Sequence, residues 1–319
     1  MKRIMIYSLA ACLLMAMPAA AKENTSGEPL QIVTTIFPLY DWITNIVGDD
    51  ADSVDVTMLL DNGVDFHSYQ PTADDMLTIS TCDLFIYVGG ESDGWVTDAL
   101  HEAVNEDMVV VNLLEELGDA AREEELVEGM QAGGEEADDE KSYDEHIWLS
   151  LKNAAFLSER IKEALTALDE AHAAVFEENT RTYVKELDEL DQACEDMVSK
   201  AQIRTVLFGD RFPFRYLTDD YGLTYYAAFD GCSAETEASF ETIMFLAQKM
   251  DELSLHTCLV TEGSDRRIAE TIVNSTKTRD QQILAMNSMQ AVTSGQREEG
   301  VTYLSVMEEN MEVLRQALS

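Results

Sequence analysis

The chain has 319 residues, 62 acidic side chains against 21 basic ones, a formal charge of −41, and 46% hydrophobic residues. This balance excludes nucleic acid as a partner, because phosphate binding draws on clustered Lys and Arg. The apolar content is enough for a buried core in one large or two medium domains, and so acidic a surface suits an exported protein or one that attracts cations.

Residues 1–21 read as an export signal. Met1-Lys2-Arg3 is basic, an apolar run covers residues 4–17, and Ala19-Ala20-Ala21 offers a small-residue cleavage site. The run is too short to span a bilayer comfortably. Leu9-Ala10-Ala11-Cys12 also fits a lipobox that would place a lipid anchor on Cys12, although the apolar run continues beyond that residue. Both routes export the protein, to the periplasm if cleaved or to the cell surface if lipidated.

Next come a strand at Ile32–Thr35, a turn at Pro38, a helix through Ile43–Val47 and a strand over Val56–Leu60. A helix at Asp75–Thr81, a buried strand ending in Gly89-Gly90, an amphipathic helix from Trp95 and a strand at Met108–Leu113 follow. Strand and helix alternate, which predicts a parallel sheet with covering helices and sites beyond the strands' carboxyl ends. His67 stands just past one such end. Residues 115–145 break the alternation. They are rich in Glu, Asp and Gly, carry no histidine before His146, and read as a mobile acidic loop that attracts cations weakly.

Residues 151–168 form an amphipathic helix. Residues 171–201 carry Val175, Tyr183, Leu187, Leu190, Cys194 and Met197 at helical spacing, without Pro or Gly, which predicts one helix of ~45 Å. The alternation then resumes to a closing helix at Tyr303–Leu318. The expected fold is α/β, with two lobes, each a mainly parallel sheet with covering helices. The lobes comprise residues 29–168 and 204–319, joined by one long rigid helix at 169–203. Beyond the leader remain Cys82, Cys194, Cys232 and Cys258. None is in a C-x-x-C, which argues against a cysteine zinc site. Export permits a disulfide, for which Cys232 and Cys258 are candidates, while Cys82 reads as a buried thiol.

Two blocks stand out. Val64–Gly90 contains Asp65-Phe66-His67, and Asp144–Ala154 reads DEHIWLSLKNA around His146. The first resembles the first metal-ligand region of the zinc/manganese ABC-transporter substrate-binding proteins. The second resembles their D-P-H-I-W-L-D-P-K-N-A motif, and the element order agrees over roughly residues 30–319. The resemblance implies two lobes clamped by a helix and a divalent ion, zinc or alternatively manganese, in the cleft between them. It also implies an ABC permease with its cytoplasmic ATPase as partners, and a monomer. Neutral imidazole suits zinc, and manganese when carboxylates join it. His67 and His146 are the expected metal ligands, the latter held by Trp148 and Leu149.

The chain departs from the family in its second half. Counting back from Tyr216 and Tyr221-Gly222 puts the family's third ligand, a His or Glu, on Arg211, which cannot ligate. Its neighbour Asp210, at the end of a strand, is the expected replacement. The fourth position falls on Asn287, and Glu235 and Glu237 are further candidates. Enzyme motifs such as H-E-x-x-H, G-x-S-x-G and the P-loop are absent, so no catalytic residue is assigned and a metallohydrolase is the weaker reading. An adhesin or extracellular interaction protein is the other alternative.

Overall fold

Leu30–Thr34 form β1, four of whose five residues are buried, because the strand lies at the centre of a sheet covered on both faces. This computed structural model describes residues 29–48, 53–131, 142–233 and 237–319. The predicted leader with Cys12, and Glu235, lie outside them.

The chain continues through α1 (Phe37–Val47), β2 (Val54–Met58), α2 (Ala73–Thr81), β3 (Leu84–Tyr87), α3 (Val96–His101), β4 (Val109–Asn112) and α4 (Leu113–Leu117). The four strands are parallel in the order β2-β1-β3-β4. Pro38 does not make the expected turn. It lies in the first turn of α1, where the missing N–H has no partner to lose. A reciprocal cap between Thr72 and Asp75 starts α2 directly after the loop that carries His67.

Beyond the acidic segment, α5 (Leu151–Leu168) starts at Ser150, whose hydroxyl accepts from the Asn153 N–H, and α6 (Ala173–Lys200) follows after a short 3-10 turn. The second lobe then runs β5 (Thr205–Phe212), α7 (Arg215–Tyr221), β6 (Thr224–Asp230), α8 (Phe240–Leu253), β7 (Thr257–Thr261), α9 (Arg267–Ser275), β8 (Gln282–Met286), α10 (Ser294–Glu298) and α11 (Tyr303–Ala317). Its strands are also parallel, in the order β6-β5-β7-β8, the same winding as in the first sheet. Both sheets therefore reverse direction at their first strand, which opens a crevice at the carboxyl ends.

The 28 residues of α6 span ~42 Å. Near its start, Asn179 donates to the Ile46 carbonyl and Tyr183 to Asp41, both on α1. Near its end, Asp191 accepts from the Tyr221 hydroxyl on α7. The buried stripe Phe176, Tyr183, Leu187, Leu190 and Cys194 faces the core throughout, so one rigid rod fixes both lobes. Among the described residues, no helix is long and apolar enough to cross a membrane.

A second tie is the turn after His146. Trp148 is fully buried, its indole N–H donates to the Ser288 carbonyl beyond β8 at 2.8 Å, and its own carbonyl accepts from the Tyr303 hydroxyl at 2.6 Å. Trp148→Ala should therefore cost about 3–5 kcal/mol. Urea unfolding checks this, and a loss below about 1 kcal/mol would show that the turn is not a structural tie.

Candidate metal centre

Several polar residues around the crevice follow a strand's carboxyl end. His67 sits in a 3-10 turn after β2. Asp65 starts that turn, its side chain accepting from the His67 N–H. Ser92 and Asp93 follow β3, Gly231 and Cys232 follow β6, and Glu262 and Ser288 follow β7 and β8. His146 opens the 3-10 turn ahead of α5 and is completely buried.

The two histidines meet. His67 Nε2 lies 3.1 Å from His146 Nε2. His146 Nδ1 donates to Asp144 Oδ1 at 2.9 Å, and the same oxygen accepts the His146 backbone N–H at 2.8 Å. This fixes the ring and leaves Nε2 as the electron-pair donor. His67 Nδ1 lies 2.8 Å from Ser92 Oγ and 3.4 Å from Glu145 Oε2, so its proton also belongs on Nδ1. Two lone pairs then face one another, an arrangement that only a cation or a proton between them relieves. Nitrogens bound to one tetrahedral zinc lie roughly 3.3 Å apart.

The third group at this point is the Cys232 thiol. The ligand atoms of His67, His146 and Cys232 all lie within 4.8 Å of one another. Gly231 makes the approach possible: a Cβ there would stand 2.8 Å from His146 Cε1 and 2.9 Å from the Phe212 carbonyl oxygen. The expected pairing of Cys232 with Cys258 does not form; all four described cysteines are free, and Cys82 is buried as expected.

Asp210 and Asn287 are engaged elsewhere. Asp210 Oδ2 accepts from the Thr261 N–H and hydroxyl at 3.2 and 2.9 Å, and its Oδ1 from the Arg211 N–H, so β7 and its own strand occupy this carboxylate. Arg211 crosses to the first lobe and pairs with Asp65 at 2.7 Å, beside a pocket of ≈ 40 Å³ also lined by Glu262 and Ser288. Asn287 Oδ1 accepts from the Met289 N–H and closes its own turn. Glu262, absent from the sequence expectations, accepts twice from Ser288 at 2.6 Å. Glu237 is exposed.

The acidic segment also differs from a free tether. Residues 119–131 run onto the second lobe. The Arg122 N–H donates to the Tyr216 hydroxyl, Arg215 donates to the Glu123 carbonyl, and the Gln131 N–H donates to the Ala228 carbonyl. Glu124 from this strap lies beside the Cys232 thiol.

The cluster concentrates buried charge. Burial pushes Asp144 and Asp93 up to about 7, and Glu124, with Asp144 nearby, up to about 7. Burial raises Glu145 too, but hydrogen bonds from His67 and Ser92 outweigh it and hold this acid below its usual range. Burial, then the neighbouring His67, drives His146 well below the usual imidazole range. Burial also lifts the Cys232 thiol well above its usual range, reinforced by Glu124, Glu145 and Asp144.

These shifts give a signed prediction. Asp93, Asp144 and Glu124 hold protons to higher pH folded than unfolded, so the native state binds more protons and stability falls as pH rises through about 7. His146 has the opposite sign, but only below about 6.5, where the unfolded chain would charge it. The chain held metal-free by chelator should therefore melt higher at about pH 6.5 than at about pH 8, by at least ~2 °C. Equal or reversed melting temperatures would contradict these assignments.

With this geometry in view, comparison with known proteins is specific. The family described as zinc-uptake complex component A, periplasmic (ZnuA) matches residues 32–317. The zinc-binding lipoprotein AdcA of Streptococcus pneumoniae is 28% identical over 320 residues, covering 99% of this chain and 61% of that protein. The chain thus spans about three-fifths of that relative. The high-affinity zinc uptake system protein ZnuA of Bacillus subtilis is 25% identical, covering 98% of this chain and 97% of its own. The Zn(II)-bound ZnuA-like domain of S. pneumoniae AdcA superposes with a TM-score of 0.71 at 26% identity, covering 91% of this chain and 99% of that domain. The periplasmic zinc-binding protein TroA of Treponema pallidum shares the fold, with a TM-score of 0.72 at 22% identity over 92% of this chain. The chain belongs to the ZnuA family.

Proposed function

We propose that the protein is the extracytoplasmic solute-binding component of an ABC importer. It captures a divalent metal ion, zinc first and manganese second, between its lobes and passes it to a membrane permease driven by a cytoplasmic ATPase. The observation that carries this reading is the pair of facing Nε2 atoms 3.1 Å apart, each on a ring whose other nitrogen meets a polar partner. The similarity to named zinc-binding and zinc-uptake proteins supports it.

The steps follow from the chain's own groups. The excess of 62 acids over 21 bases draws cations toward the surface. Within the cleft, burial keeps His146 neutral and ready to donate its lone pair. Asp144 and Glu145 lie behind the rings and compensate the ion's charge through them. Arg211 would repel the ion, but Asp65 neutralises it across the lobe boundary. A permease that separated the lobes would pull His67 from the groups of the second lobe and weaken the site. The chain binds and releases rather than transforms, as its place in a solute-binding family for zinc uptake supports.

His67→Ala and His146→Ala should each weaken zinc binding at least tenfold, about 1.4 kcal/mol. Titration calorimetry on each variant, with folding verified by circular dichroism, measures this. Near-wild-type affinity in either would remove that histidine from the site.

A further inference from the structure

We propose that the Cys232 thiolate is the third protein ligand to the metal, and that it biases the site toward zinc over manganese. The proposal rests on the reading above that a divalent ion occupies the His67–His146 pair. Three observations converge. The Cys232 sulfur lies with both imidazole nitrogens inside a 4.8 Å cluster. The chain places it there by a close contact that only glycine allows, with Gly231 laid against the His146 ring. Two residues otherwise expected to complete the site are committed, Asp210 to Thr261 and Asn287 to its own turn, and Arg211, which cannot ligate, pairs with Asp65.

The distances suit a metal-drawn contraction. Zinc–nitrogen bonds of ~2.0–2.1 Å and a zinc–sulfur bond of ~2.3 Å put tetrahedral N and S atoms about 3.6 Å apart. The N–S spacing must therefore close by about 1.2 Å at most. Binding exchanges the thiol proton for the metal: the S–H bond breaks, its electron pair forms the Zn–S bond, and the proton is released to the surrounding bases and solvent. The position from which Arg211 has turned away is thus not refilled on β5. The ligand comes from the end of β6, the neighbouring strand. A thiolate is a soft donor that prefers zinc, whereas manganese prefers oxygen.

Cobalt(II) is the probe, because thiolate ligation gives a near-ultraviolet charge-transfer band. The full chain should show that band and tetrahedral visible bands at one cobalt per chain. Cys232→Ser should lose the charge-transfer band, keep weaker cobalt binding, and bind zinc at least tenfold less tightly, with a narrower zinc-over-manganese preference. Zinc should also shield Cys232 from alkylation in the unaltered chain. Cobalt binding that depends on His67 but lacks the charge-transfer band, or a band that survives Cys232→Ser, would overturn the thiolate ligand and leave the binding function standing. A chain that takes up neither zinc nor cobalt would overturn both. Equal melting temperatures of the metal-free chain and Cys232→Ser separate ligand loss from misfolding.

Discussion

The turn Asp144–Leu149 is the constraint on which the rest of the structure depends. It is buried along its whole length, although it contains two acids and a histidine. Burying such groups is tolerable only where each finds a partner. Asp144 serves the His146 ring and backbone, and its carbonyl accepts from Tyr216 of the second lobe at 2.9 Å. Glu145 serves Ser92 and faces His67 in the first lobe. Trp148 reaches Ser288 and receives Tyr303. One short turn therefore joins both sheets, and the imidazole it carries stands at their seam. Together with α6 it ties the two lobes to one another at several points.

The fold was legible because its signals are local. Apolar strands alternate with amphipathic helices, and the 171–201 stretch keeps one apolar stripe without a breaker, so sheets and long helix follow from periodicity alone. Position within an element decides what local composition leaves open. Pro38 reads as a turn in isolation but is accommodated at the start of α1.

The site was legible only in part. His67 and His146 stand in distinctive sequence contexts, and those contexts encode the partners that fix the rings, such as Asp144 two residues before His146. The remainder depends on tertiary direction. Asp210 lies in β5, where the register against β6 shifts between Phe208 and Arg211, and its side chain turns to Thr261 of the adjacent strand. Sequence spacing does not reveal that rotation. Cys232 carries no C-x-x-C signal because its neighbours are histidines distant in sequence, not a second nearby cysteine. The Gly231-Cys232 pair at a strand end was the available signal. The acidic segment misled for a similar reason: its composition reads as solvated, yet Glu124 and Gln131 meet partners that only the second lobe supplies.

The central claim is that this crevice holds one divalent ion through the two imidazoles. Elemental analysis of the protein purified without chelator tests it most directly, repeated after competition between equal zinc and manganese. The account predicts close to one zinc per chain, retained against manganese and absent from His146→Ala purified in parallel. A chain recovered without zinc that cannot be loaded, or one whose zinc content is unchanged by His146→Ala, would contradict it.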